Sequence, residues 1–279
     1  MKHAILMTVY KDVELINRLI NSYPDEFGVF IHIDKKAGIA VSDIISKPNV
    51  HTVKKYKVNW GGYNHVKAML YLLKLSMQDD GYDYYHWVTG QDVPINPQTF
   101  DDRLNYGYSY LEVNKLPRPG WCDGGLIRYQ IYGFFDVLDA KIRWQSKILN
   151  YFERLQKKIH FIRPFRDYSN IYEGSGYFTL FKEDAKLLLS EAPKWEKFYR
   201  HTFCGEESVV QTILMNSNRK PFLINETLRF IEWDAPWNAP IPPRILTIAD
   251  YEHIIHRGCL FARKVDKNTS SELLERLGI

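Results

Sequence analysis

Between residues 4 and 90, short apolar runs alternate with stretches of helical periodicity, and few architectures accommodate that order. "AILMTVY" (4–10) is apolar and short enough for a buried strand. "KDVELINRLINS" follows it, with Val13, Leu15, Ile16, Leu19 and Ile20 at helical spacing. "GVFIHID" (28–34) and "VHTVKK" (50–55) predict two further strands. "GGYNHVKAMLYLLKLSMQ" (61–78) predicts a helix with Val66, Met69, Leu70, Leu73 and Met77 on one face, and "YDYYHWVTG" (82–90) a strand ended by Gly. Such alternation implies an α/β fold, a mostly parallel sheet flanked by helices, which binds ligands beyond the carboxyl ends of its strands.

The middle of the chain is less regular. "VNKLPRPGWCDGG" (113–125) clusters Pro and Gly and predicts a long irregular loop. "DAKIRWQSKILNYFERLQKKI" is helical and basic, and "GSGYFTLFKEDAKLLLSEA" (174–192) predicts a strand and then a helix. A strand at "ETLRFIEW" (226–233) precedes a Pro-rich turn, "APWNAPIPPR" (235–244). A helix from Thr247, a strand-like "CLFARKVD" (259–266) and a short terminal helix complete the chain. With no repeat, low-complexity tract or linker in it, one domain over residues 1–279 is expected.

Composition narrows the function classes. At 45% hydrophobic and 25% charged, the 279 residues can bury a sizeable core. A net charge of +4 fits an anionic ligand or loose contact with acidic lipid, and is too small to argue for nucleic acid. Cys122, Cys204 and Cys259 are too few and too far apart for a disulfide framework or a zinc site, which suits a reducing compartment. The apolar run at the start ends after about ten residues, too short for a signal peptide or a membrane span. A cytoplasmic protein is expected, peripheral at the inner face of a membrane.

Several motifs carry chemistry. "TFCGEESVVQTIL" (202–214) sets Glu206 and Glu207 before an apolar stretch, where acids either cap a helix or supply a catalytic base. "WGGYNHV" puts two glycines at a helix start, where exposed N–H groups can meet an anion. Neither a dinucleotide fingerprint nor a P-loop occurs. His253 and His256 lack a third metal ligand, and Cys204 near His201 lacks an orienting residue for thiol catalysis. Asp34, at the carboxyl end of a predicted strand, suits either ligand binding or a turn. No Asp-x-Asp occurs to hold a divalent metal on a nucleotide-sugar, so a diphosphate would have to meet side chains, with Arg263 and Lys264 the natural pair.

Taken in order, "IHIDKK", "VNWGGYNHV", "HWVTGQDVPI", "GSGYFTL", "CGEESVVQTILMNS", "LRFIEW" and "LFARKVD" resemble one family, over residues 31 to 266. It is the core-2/I-branching β-1,6-N-acetylglucosaminyltransferase and peptide O-xylosyltransferase family of inverting, metal-independent glycosyltransferases. The resemblance implies a modified GT-A-like, Rossmann-like fold and transfer of a sugar from a UDP-sugar to a hydroxyl of a glycan or lipid-linked saccharide acceptor. By motif, Glu207 matches the general base, and Glu206 inherits no role. Val9, Asp34, Val58, Asn59 and Trp60 match donor contacts. Ser175, Gly176 and Tyr177 line the same cleft. Arg263 and Lys264 match the cations at the diphosphate, Arg244 resembles a third, and Trp233 resembles an acceptor-side aromatic. No cofactor and no metal is implied.

Golgi members carry an N-terminal anchor and several disulfides; the chain shows neither, and a bacterial-type catalytic core at the cytoplasmic face is expected. "GQDVPI" favours UDP-GlcNAc as donor, while "WGG" and "FARK" lean to the xylosyl branch. A non-catalytic nucleotide-sugar or glycan binder is the reading from another class. A glycoside hydrolase would need two facing carboxylates, and Glu206 and Glu207 are adjacent.

Overall fold

Strand β1 (His3–Val9) shows how the sheet is covered on both faces. Its residues point alternately up and down, so Ile5, Met7 and Val9 enter one apolar cluster and Ala4 and Leu6 another. The first cluster lies under helix α1 (Val13–Ser22), which buries Leu15, Ile16, Leu19 and Ile20. A computed structural model gives this fold for residues 1–78, 81–120, 122–163, 170–234 and 242–279.

Strand β2 (Gly28–Ile33) is buried throughout, as expected of a parallel strand with helices on both sides. Strand β3 (Val50–Val53) pairs with it in parallel. Helix α2 (Tyr63–Ser76) covers the second cluster with Val66, Met69, Leu72 and Leu73. Leu70 and Met77, assigned by spacing to its buried face, are only half-buried, and Leu72 replaces them. Strand β4 (Tyr84–Thr89) then pairs with β1 in parallel, on the side away from β2. The chain thus runs outward from β1 and returns to its other side, which makes a topological switch point between β1 and β4.

The rest builds on this frame. Strands β5 (Asp92–Pro94), β6 (Ser109–Leu111) and β7 (Asn114–Lys115) precede helices α3 (Ile127–Gln130) and α4 (Arg143–Lys158). Strands β8 (Tyr172–Glu173) and β9 (Phe178–Phe181), helices α5 (Lys182–Tyr199) and α6 (Val209–Met215), then strands β10 (Leu223–Ile224) and β11 (Arg229–Ile231) follow. Helix α7 (Tyr251–Arg257), strand β12 (Phe261–Arg263) and helix α8 (Ser271–Arg276) end the fold. Among the described residues the main sheet has seven strands in the order β10-β6-β9-β4-β1-β2-β3, antiparallel only where β9 meets β4 and β6. The α/β arrangement expected from the alternation, a mostly parallel sheet flanked by helices, is the one observed, and its topology is Rossmann-like.

A second sheet, β11-β12-β5, stands apart from the alternation, and its strands are three residues each. The Pro-rich turn expected at 235–244 lies outside the described residues as far as residue 241. Among the described residues no helix is long and apolar enough to cross a membrane.

Three histidines in the core make stability depend on pH. His3, His32 and His86 are buried, and burial holds each below the usual histidine range, His32 at about 4. His32 uses its Nε2 to accept the N–H of Tyr56 at 2.9 Å, which requires the neutral ring. An unfolded histidine takes a proton near pH 6.5, so below that pH the unfolded chain binds more protons than the folded one. Stability is therefore expected to fall as pH drops from about 6.5 towards 4. Thermal melts at pH 7 and pH 5 measure this, and an unchanged midpoint contradicts it.

Candidate active site

The two glutamates diverge. Residues Gly205–Glu207 form a single 3-10 turn, and α6 starts only at Val209, with no side-chain cap. Neither acid caps a helix, in contrast to the ordinary expectation for that position. Glu206 turns inward: its Oε1 lies 3.4 Å from His65 Nδ1, and its buried Oε2 has no hydrogen-bond partner among the described residues. The other nitrogen of His65 lies 3.5 Å from the Thr8 hydroxyl on β1. Glu206 is thus a buried brace, not a surface helix-start residue.

Glu207 turns outward, with 41% of its side chain exposed. Its Oε2 accepts a hydrogen bond from Arg128 Nη1 at 2.8 Å. The second Nη of Arg128 binds Glu173, which the β7–β8 pairing sets opposite Asn114. Desolvation pushes the Glu207 carboxyl up to about 6; the Arg128 charge opposes the rise and the Glu206 charge adds to it. A carboxylate that ionises close to neutral pH is suited to accept a proton.

The "WGG" motif positions this loop. Gly61 has φ +74°, and a Cβ there would lie 2.2 Å from the Phe203 ring. Phe203 meets the exposed Trp60 ring edge-on at 4.9 Å, and the Cys204 N–H donates to the Gly61 carbonyl at 3.0 Å. The N-terminus of α2 does meet an anion, but it is the protein's own: Asn64 N–H donates to Asp136 Oδ1 at 2.8 Å. Burial raises the Asp136 pKa.

The residues expected at the donor gather around the switch point. Asp34, half-buried, follows β2 and donates its N–H to the Val9 carbonyl. Its Oδ1 accepts from the backbone N–H groups of Lys36 at 3.0 Å and Val58 at 3.1 Å. Asn59 is fully buried: its Nδ2 donates to the carbonyls of Phe135 and Asp136, and its Oδ1 accepts from Lys36 Nζ at 2.9 Å. The Val9 side chain is buried too, so Asp34, Val58 and Trp60 are the more accessible members of the set.

Two motifs far apart in sequence meet across the small sheet. Arg263 of "FARK" and Asp92 of "GQD" are register partners, and Arg263 Nη1 lies 3.4 Å from both carboxylate oxygens. Asp92 also accepts from the Thr89 N–H at 2.7 Å. Lys264, half-buried, is held below the usual lysine range by burial and then by the charges of Lys11, Arg263 and Lys141. Both Lys11 and Lys141 stand over the Tyr10 ring at the end of β1. Among the described residues none of Lys11, Lys141 and Lys264 forms an ion pair. Cations that depress one another's affinity for protons favour an anion between them.

Arg244 is placed differently. Its guanidinium grips Asp250 at 2.6 and 3.0 Å and lies 3.5 Å from Asp234. Trp233 is 44% exposed just past β11.

Residues 175–177 span the gap between the carboxylate and the cations. Ser175 is fixed by its N–H to Glu112 at 3.0 Å and by its carbonyl, which accepts from Gln211 at 2.8 Å. At Gly176 a Cβ would lie 3.4 Å from Glu206 Cγ and 4.0 Å from Glu207 Cγ. Tyr177 then stacks its ring 4.4 Å from the Arg263 guanidinium. Glu207 and Arg263 therefore adjoin successive residues of one short segment.

Two other candidates carry no site. Cys204 is buried and its thiol is pushed well up by desolvation, which removes the thiolate a nucleophile needs. Among the described residues no group of three or more His, Cys, Asp or Glu is arranged to hold a metal ion. The sequence reading missed Arg128, Glu173, His65, Lys11 and Lys141.

Fold and site together define an α/β protein of Rossmann-like topology whose switch point faces one outward carboxylate and a cluster of cations. No protein-family model matches the chain, and no curated protein matches it. Among solved structures it is similar to residues 1–349 of S. aureus TarS, at 12% identity and a TM-score of 0.31. That match covers 78% of this chain and 66% of the other.

Proposed function

We propose that the chain is an inverting, metal-independent glycosyltransferase that moves a sugar, GlcNAc, from a UDP-sugar to a hydroxyl of a glycan or lipid-linked saccharide. In this reading residues 1–279 are one catalytic domain. The observation that carries it is the placement of residues 176 and 177 between Glu207, whose carboxylate is bonded to Arg128, and Arg263 beside Lys264. Inversion is a single in-line displacement at the anomeric carbon. The acceptor oxygen attacks as Glu207 takes its proton, and the bond to the UDP oxygen breaks on the opposite face. Negative charge grows on the departing diphosphate, where Arg263 and Lys264, with Lys11 and Lys141 near, stabilise it without donating a proton. Asp34 sits at the nucleoside side and Trp233 at the acceptor side. Arg244 leaves the diphosphate set, because Asp250 takes both of its Nη groups at 2.6 and 3.0 Å, whereas Arg263 meets Asp92 through Nη1 alone at 3.4 Å.

Cations supplied by side chains make a divalent metal unnecessary for leaving-group departure. Activity with EDTA is therefore expected to equal activity without it, measured as UDP release; strict dependence on added Mg²⁺ or Mn²⁺ contradicts the reading. A thermal-shift panel of UDP-sugars, beginning with UDP-GlcNAc and UDP-xylose, identifies the donor. The non-catalytic alternative predicts a shift with no UDP release from any pair of donor and acceptor.

A further inference from the structure

Helix α4 leaves most of its surface in solvent. Only Leu149 of its sixteen residues is buried. Trp144, Tyr151 and Leu155 recur at intervals that keep them on one helical face, and they are 60%, 64% and 38% exposed. Lys147, Arg154 and Lys158 recur at the same intervals along the neighbouring strip, and all are exposed. Ile159, just past the helix, adds a further exposed apolar side chain at its C-terminal end. The helix carries Arg143, Lys147, Arg154, Lys157 and Lys158 against Glu153 alone, which is already bonded to Lys157. Aromatic and aliphatic side chains beside a row of cations suit an interface that is apolar below and anionic above.

We infer that α4, with Ile159, docks on the surface of a membrane rich in acidic phospholipid. A second copy of the chain is a poor occupant, because the same cations would face each other across the contact. Lys141, two residues before α4, belongs to the cluster around Lys264, so a membrane on α4 lies beside that cluster. Docking of α4 does not depend on the transferase reading.

The test is co-sedimentation of the full chain with vesicles of phosphatidylglycerol and phosphatidylcholine, or of phosphatidylcholine alone. Binding to the acidic vesicles is expected to be at least about a hundredfold tighter and to weaken with salt. Each cation near an acidic surface is worth about fivefold, so K147A/R154A/K158A should bind about a hundredfold more weakly. W144S/Y151S/L155S should lose the binding that survives in high salt. Both variants should melt with the parent, since all six side chains are exposed. Equal affinity for the two vesicles, no binding, or parental binding by the charge variant overturns the proposal. A concentration-dependent dimer abolished by W144S/Y151S/L155S also overturns it, and assigns the face to self-association.

Discussion

Glu207→Gln is expected to bind UDP as the parent does and to transfer sugar about 10²–10⁴-fold more slowly, the usual cost of losing a general base. Glutamine has the same shape, and its carbonyl can still accept the hydrogen bond from Arg128 Nη1, so the loop has no reason to move. Only the proton acceptor is lost. Because the carboxyl ionises at about 6, kcat/KM of the parent should fall as pH drops through that value, and this limb should vanish in the variant. Stability separates the effect from unfolding. A carboxyl raised in the folded state binds more protons folded than unfolded between its two pKa values, so its ionisation lowers stability above that window. The variant is thus expected to melt no lower than the parent at pH 7. Near-normal turnover, with calorimetric UDP affinity unchanged, would sink the assignment of Glu207.

Elements with a clear period were legible before the structure. The strands at 4–10, 28–34, 50–55 and 82–90 and helices α1, α2, α4 and α5 follow from apolar spacing, because burial against a sheet imposes that spacing. Strands of two or three residues, such as β5, β7 and β8, are too short to show a period, and their pairing is long-range. The same limit hid half of the site. Arg128 sits in the one-turn helix α3 without a motif, and nothing local says that it bridges Glu173 and Glu207. Lys11 and Lys141 are 130 positions apart and meet only because both reach Tyr10 at the end of β1. The Arg263–Asp92 pair follows from register between strands that sequence cannot align. Arg244 shows the converse: a cation after "PP" satisfies a motif, while its geometry joins it to the start of α7 through Asp250.

Lys264→Ala is expected to weaken UDP by about 10- to 100-fold, the loss of one charge-assisted hydrogen bond to an anion. Lys264 offers a sharper test than Arg263. Removing Arg263 would leave Asp92 fully buried without its cation, a change that destabilises the fold and blurs any binding result. Lys264 has the opposite balance. It is depressed by burial and by the charges of Lys11, Arg263 and Lys141, and it has no ion pair among the described residues. Its loss relieves repulsion in the free protein, so the variant should melt at or above the parent temperature while binding UDP poorly. Because the phosphates would be met by several cations at once, parental UDP affinity should also fall with salt, and the variant should show a shallower fall. Arg244→Ala is the control: its guanidinium is held by Asp250, and UDP affinity should stay within about twofold of the parent, well short of the loss from one charge-assisted bond. An unchanged UDP affinity in Lys264→Ala, measured by calorimetry at low salt, contradicts the diphosphate role of the cluster even if Glu207→Gln is inactive.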